Sequence, residues 1–435
     1  MSKKSFQLAV LLFLTALIVP FPSGVYAKDE SPKDSPPTLR RKYGRPELIE
    51  PKYDDDGSDG SVNLYRNIKD MVVLSSYIYQ HAALIEDIHE TSQWYKFWDS
   101  RDAENDEKLR TDLSDAKSVG DILDVSEKNM QIMEKNNRRV RDATKVIKND
   151  MADAHATDAT KDSEILVIHA DKEDVKKSCV YAIIVNHNLK RLAVVFRGTS
   201  NIGDWSRDVL VMQKKYDNPV KSQTDVPKIK IHSGFAEAIL KDGKIDKIVD
   251  EVNGYMKDLK GYRLFVTGHS LGGALSTLFG FYAAANDDLM EHVYGPVSLF
   301  SVASPRVGNA KFLEAHKHLE HMGRLRHARV HNESDKVSRV PYLGTGYYKH
   351  VGLEVRLRSI KRNLGPILDY PAYAQWTQAG GTLKESVVAL VDALRLHGTE
   401  LTRKRLKFSK ELLEDTTLER EYRRLWGLEY ATTFS

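Results

Sequence analysis

The amino-acid sequence predicts an α/β protein: a mixed, mostly parallel sheet with helices on both faces, preceded by a helical N-terminal extension. Three observations lead to that fold class. From Glu164 onward, short apolar runs alternate with helical stretches, the pattern of a sheet covered by helices. Residues Arg263–Thr267 form an apolar strand that runs at once into Gly268-His269-Ser270. The stretch Ala274–Ala285 that follows is apolar on every side, which marks a buried helix.

The elements follow in order. Leu64 to Ile88 carries apolar residues at helical spacing (Ile68, Met71, Val72, Ile78, Tyr79, Ala82, Ile85) and predicts a long amphipathic helix. Residues 99–162 are highly charged and carry no recognisable chemistry. Cys179–Val185 and Arg191–Phe196 read as strands joined by a turn at Asn186-His187-Asn188. Phe235–Leu259 reads as one helix, and Val297–Ala303 and Arg326–Val330 as further strands. The chain from about Lys384 is mostly helical. These readings divide the sequence into a leader (1–27), a spacer (28–60), a helical extension (61–163), a catalytic domain (164–400) and a charged helical tail (401–435).

The leader has a basic start at Lys3 and Lys4 and an apolar run from Leu8 to Val19. Pro20 and Pro22 end that run, and Val25-Tyr26-Ala27 suits a signal-peptidase site. The run falls short of the ~20 residues that span a bilayer. It therefore reads as a cleaved secretory signal. Destinations are the exterior or, as alternatives, the secretory lumen or a plastid reached by a signal-led address. Residues 28–60, rich in Pro, Asp, Lys and Gly, have the composition of a disordered spacer.

Charge excludes one broad class. The 65 Lys and Arg residues face 61 Asp and Glu, a net of +4, so no basic surface points to nucleic acid. Cys179 is the only cysteine, which rules out an intrachain disulfide; it reads as a buried thiol in a strand. No histidine pairs with Cys or carboxylate at ligand spacing, so no metal or other cofactor is expected. His316, His318 and His321 lie in a charged helix and read as solvated.

The chemistry concentrates at Gly268-His269-Ser270-Leu271-Gly272. A serine hydroxyl is a weak nucleophile that needs a base for its proton and donors for the oxyanion it creates. The G-x-S-x-G pattern between an apolar strand and a helix supplies a sharp turn that exposes the serine. The helix also aims its leading amides at the site. Chance alone would produce the pattern about 0.1 times in a chain of this size, and the strand and helix around it strengthen the reading.

Around that turn the chain resembles the class 3, or fungal-type, lipases. Seven motifs match in order: Val195-Phe196-Arg197-Gly198-Thr199; Ile202 with Trp205; His232-Ser233-Gly234-Phe235; Val266 to Ala274; Ala303-Ser304-Pro305-Arg306-Val307-Gly308-Asn309; Asn332-Glu333-Ser334-Asp335-Lys336-Val337; and His350-Val351-Gly352. The resemblance covers about residues 164–400 and implies an α/β-hydrolase fold with a triad in the order Ser, Asp, His. Ser270 maps to the nucleophile and Asp335 to the acid that orients the base. Two histidines compete for the base. His397 lies at the family's usual spacing after the acid, and His350 lies fifteen residues past Asp335. The oxyanion hole maps to the Leu271 amide and to Thr199. Ile202, Trp205 and Val209 belong to an amphipathic segment, residues 200–212, at the position of the family's lid. Such a segment can cover the serine or bind an interface, but not both at once.

These residues together imply a secreted carboxylic ester hydrolase acting on acylglycerols at a lipid–water interface, with transient membrane-surface contact. Rivals within the class are a galactolipase or phospholipase and an esterase for soluble feruloyl-type esters. The rival from another class is a catalytically inactive lipase-like binding module. Nothing in the sequence speaks to oligomeric state. The sequon Asn332-Glu333-Ser334 overlaps the acid loop, where a glycan would obstruct the triad.

Overall fold

The structure, a computed structural model, describes residues 63–94, 163–169, 179–198, 212–341, 348–360, 365–370 and 396–426, with scattered positions between 108 and 146. The leader, the spacer and most of residues 95–162 lie outside the described residues.

Ten strands are described: β1 (Ser163–His169), β2 (Tyr181–Asn186), β3 (Arg191–Phe196), β4 (Gln213–Asp217), β5 (Lys228–His232), β6 (Arg263–His269), β7 (Val297–Val302), β8 (Leu325–Asn332), β9 (Leu353–Leu357) and β10 (Ile367–Asp369). Eight form one sheet in the order β1-β2-β3-β6-β7-β8-β9-β10. β3, β6, β7, β8 and β9 are mutually parallel. Antiparallel strands close both edges, β1 and β2 on one side and β10 on the other. β4 and β5 pair separately. The mixed, mostly parallel sheet that the sequence predicts is thus present.

The helices explain why the central strands read as unbroken apolar runs: both faces of the sheet are covered. On one face lie α2 (Ser233–Leu240), α3 (Lys244–Asp258), α4 (Leu271–Ala285) and α5 (Ala310–His321), packed on Leu192, Val194, Leu264 and Val266. On the other lie α1 (Leu64–Trp94), α6 (Thr399–Phe408), α7 (Lys410–Glu414) and α8 (Leu418–Leu425), packed on Ala193, Val195 and Phe265. Alternate residues of β3 and β6 therefore serve two separate cores, as a period of two requires.

Two expectations need correction. The single helix read over Phe235–Leu259 is two, because Asp242 (φ 58°) and Gly243 (φ 64°) take left-handed conformations that end α2 and open α3. The histidines of α5 are not uniformly solvated. His316, Glu320 and His321 are buried because β8 and α8 cover that face. His316 sits 3.3 Å from Glu320, and His321 stacks on Trp426 at 4.8 Å. Only His318 stays near the surface, against Ser222.

The C-terminal helices belong to the core. Leu406, Leu413, Leu418, Tyr422 and Trp426 are buried with the apolar face of α1. The Tyr422 hydroxyl donates to Glu320 Oε1 (2.6 Å) and accepts from the His327 amide (3.1 Å). At the other end of the sheet Arg191 enters β3 with its guanidinium on Asp70 of α1 (2.8 Å) and over the Phe265 ring (4.3 Å). These contacts fix α1 along β3 and β6, so that its Tyr79 arrives at the C-terminal end of β6.

Candidate active site

β6 ends at His269, and Ser270 turns the chain into α4 with φ 62° and ψ −123°. That backbone is unfavourable for any residue with a side chain, and such strain persists only where the surroundings enforce it. Here they do. The Ser270 amide donates to Val302 O of β7 (2.9 Å). Gly268 and Gly272 meet across the turn: a Cβ on Gly268 would lie 2.3 Å from Gly272 O, and one on Gly272 would lie 2.2 Å from Phe196 O. Only glycine at both positions lets the turn press against the end of β3. Leu271 begins α4, where leading amides have no partner within the helix, and its side chain packs on Val337 and Val340 of the acid loop.

Asp335 follows β8 and is fully buried. Its Oδ1 accepts from the Val337 amide (2.9 Å), and its carbonyl accepts from Ser338 Oγ (2.9 Å). Oδ2 lies 2.9 Å from His397 Nδ1. A carboxylate only accepts, so Nδ1 carries the proton and Nε2 presents a lone pair. His397 is itself buried, and its Nε2 has no hydrogen-bond partner among the described residues. The turn that bears it is held twice more. Leu396 O accepts from Asn332 Nδ2 (2.8 Å), and His397 O lies 2.7 Å from His269 Nε2, beside the serine. Ser270, Asp335 and His397 therefore converge at the C-terminal ends of β6 and β8.

His350 goes elsewhere. It lines a small cavity with Ser301, Ser304, His327 and Arg329. Burial, followed by the Arg329 guanidinium, pushes its pKa well below the ordinary imidazole value. The carboxylate of Asp335 is taken up by Val337 and His397. Arg329 is spoken for by Glu354 (2.8 Å), which also accepts from His331 Nε2 (2.6 Å). Cys179 is buried, with its thiol pushed up to about 12 by that burial, and offers no thiolate. Thr199, Ile202, Trp205 and Val209 lie outside the described residues. Among the described residues no three His, Cys, Asp or Glu side chains are grouped to hold a metal, and no helix is long and apolar enough to cross a membrane.

Three further residues support the site, and two of them, Arg405 and Tyr79, lie outside the catalytic motifs. Asn332 reads as a glycan acceptor, yet it is buried with its amide donating to Leu396 O and Thr402 Oγ1 (2.9 Å). Arg405 of α6 donates to Glu333 O (3.0 Å) and Leu357 O (3.2 Å) and so ties the acid loop to the helix after His397. Tyr79 reads as part of an apolar stripe. Its hydroxyl was the available clue, because a buried phenol needs a polar partner. That partner is His269.

The family model for lipase (class 3) matches residues 193–345. Among curated relatives, phospholipase A1-II 3 of Oryza sativa subsp. indica is 28% identical over 209 residues, 45% of this chain and 48% of that protein. Secreted mono- and diacylglycerol lipase A of Penicillium cyclopium is 29% identical over 177 residues, 41% of this chain and 51% of that protein. The chain thus spans about half the length of these relatives. A solved structure of the triacylglyceride lipase of Rhizomucor miehei aligns with 26% identity and a TM-score of 0.38, over 47% of this chain and 70% of that one.

Proposed function

Residues 193–345 match the class 3 lipase family model, and from that premise we propose that the chain is a secreted lipase that hydrolyses acylglycerol esters through a Ser270-His397-Asp335 triad. The observation that carries the proposal is the His397 imidazole. It is fixed through Nδ1 to Asp335 at 2.9 Å, it is beside the strained serine turn, and its Nε2 is unpartnered among the described residues.

The chemistry follows. Ser270 Oγ attacks the ester carbonyl while His397 Nε2 takes its proton. Asp335 stabilises the imidazolium and holds its tautomer. The carbonyl oxygen, now an anion, is held by the Leu271 amide and by Thr199; each such donor lowers the barrier by about 3 kcal/mol. The imidazolium protonates the leaving alcohol, and water then attacks the acyl-enzyme with the same histidine as base. In this reading His350, whose pKa burial holds well below the ordinary imidazole value, has no part in the sequence.

An acylglycerol is the substrate proposed, because the segment bearing Ile202, Trp205 and Val209 has the amphipathic character of an interfacial lid. Initial rates on a short-chain glyceride, followed across its solubility limit, test this. The proposal expects a step in rate as emulsion forms, and loss of activity in Ser270→Ala. Simple saturation on soluble esters with none on emulsions would point to a soluble-ester esterase. A higher rate on phospholipid or galactolipid dispersions would move the substrate to polar lipids. Absence of turnover on all three would leave a binding module.

A further inference from the structure

We infer that His269 and Tyr79 are positioning residues for the base: the residue before the nucleophile holds the main chain of His397, and α1 holds that residue in turn. The inference rests on the triad proposed above and extends it to two residues outside the triad.

The residue before the serine in G-x-S-x-G has no chemical duty in the turn itself. Here it has been given one by its surroundings. His269 is 2% exposed, and its Nε2 lies 2.7 Å from His397 O. A carbonyl only accepts, so Nε2 carries the proton. The two imidazoles lie 4.7 Å apart at 40°. His397 is therefore held at two points of different kind. Asp335 fixes its ring, and His269 fixes its backbone. Removing the second cuts the direct tie between the His397 backbone and the serine turn, and leaves that turn held by Asn332 at Leu396 O.

Tyr79 completes the arrangement. Its hydroxyl lies 3.2 Å from both His269 Nδ1 and His269 O. The phenol has one proton: given to Nδ1, which is an acceptor once Nε2 carries the histidine proton, it reinforces the tautomer that the His397 carbonyl needs. The same hydroxyl occupies the place a Cβ on Gly198 would take, 2.0 Å from it. Gly198 directly precedes Thr199. One phenol thus meets the end of β3, the serine turn and, through His269, the base. Tyr79 belongs to α1, which lies before the family-matched residues, so this helix is part of the working site.

The test uses the full chain and a soluble p-nitrophenyl ester, so that interfacial effects do not enter. His269→Leu removes the donor. His269→Gln keeps an N–H at similar reach. Tyr79→Phe removes only the hydroxyl. For His269→Leu, kcat is expected to fall 10- to 100-fold with KM within twofold, since a small misplacement of a catalytic group costs about 10²-fold. The rate of phosphonate inactivation at Ser270 should fall in parallel. His269→Gln should recover most of both, and Tyr79→Phe should lose less than His269→Leu. Circular dichroism confirms that each variant folds. A folded His269→Leu with kcat within twofold of wild type would overturn the inference. So would a Gln variant no better than Leu. If wild type turns over no ester, the triad proposal falls instead.

Discussion

Replacing Asp335 by Asn tests the triad with almost no change in shape, and the geometry states what should happen. Both carboxylate oxygens accept: Oδ1 from the Val337 amide and Oδ2 from His397 Nδ1, each at 2.9 Å. Asparagine has one acceptor and one donor. If its oxygen faces Val337, its NH2 faces His397 and forces Nδ1 to accept. The proton then sits on Nε2, the atom that must take the serine's proton. If the amide is flipped, two N–H donors face each other at Val337, at a cost of about 1–3 kcal/mol. The first arrangement is favoured, and it leaves His397 in the wrong tautomer. The same exchange in serine hydrolases with this triad geometry costs ~10⁴ in kcat, or about 5 kcal/mol of barrier at 1.36 kcal/mol per factor of ten. Turnover of a soluble p-nitrophenyl ester should therefore fall by 10³ to 10⁴ in Asp335→Asn, with KM little changed. A folded variant within tenfold of wild type would refute the reasoning.

Two further predictions concern stability. Tyr422→Phe removes the hydroxyl that donates to buried Glu320 and accepts from the His327 amide; the unfolding free energy should drop by about 2 kcal/mol, read from the guanidinium midpoint at constant slope, and an unchanged midpoint would deny α8 its role. Stability should also fall as pH drops from 6.5 toward 4. Burial lowers His81, His232 and His321 to about 4, so in that window the unfolded chain binds more protons than the folded one. For fully buried His81 the loss approaches roughly 3 kcal/mol, and thermal melts of His81→Leu should lose part of that acid sensitivity; a melt curve as steep as wild type would contradict it.

Much of the fold was legible because the central strands and α4 are buried on all sides. Leu192–Phe196, Leu264–Val266 and Ala274–Ala285 read as apolar whatever their neighbours. The break at Asp242-Gly243 was hidden by apolar residues, Ile239, Ile245 and Ile248, that continue on both sides of it. Burial of His316 and Glu320 was not legible, because Tyr370 and Tyr422, which bond Glu320, come from elements far away in the chain. The site divides in the same way. Ser270 and Asp335 sit in local motifs. His397 was reached by spacing from Asp335, with no motif of its own. Asn332, Arg405 and Tyr79 act through contacts across long stretches of sequence, which no local pattern records.

The central claim is that Ser270 is activated by His397 and not by His350. It is tested most directly by stoichiometric labelling with a p-nitrophenyl alkylphosphonate, with the modified peptide identified by mass spectrometry. The account predicts one phosphonyl group on Ser270 in the wild type and in folded His350→Ala. It also predicts that labelling slows by orders of magnitude in His397→Ala. Labelling that survives in His397→Ala and fails in His350→Ala, or a wild type that takes no label at Ser270, would contradict it.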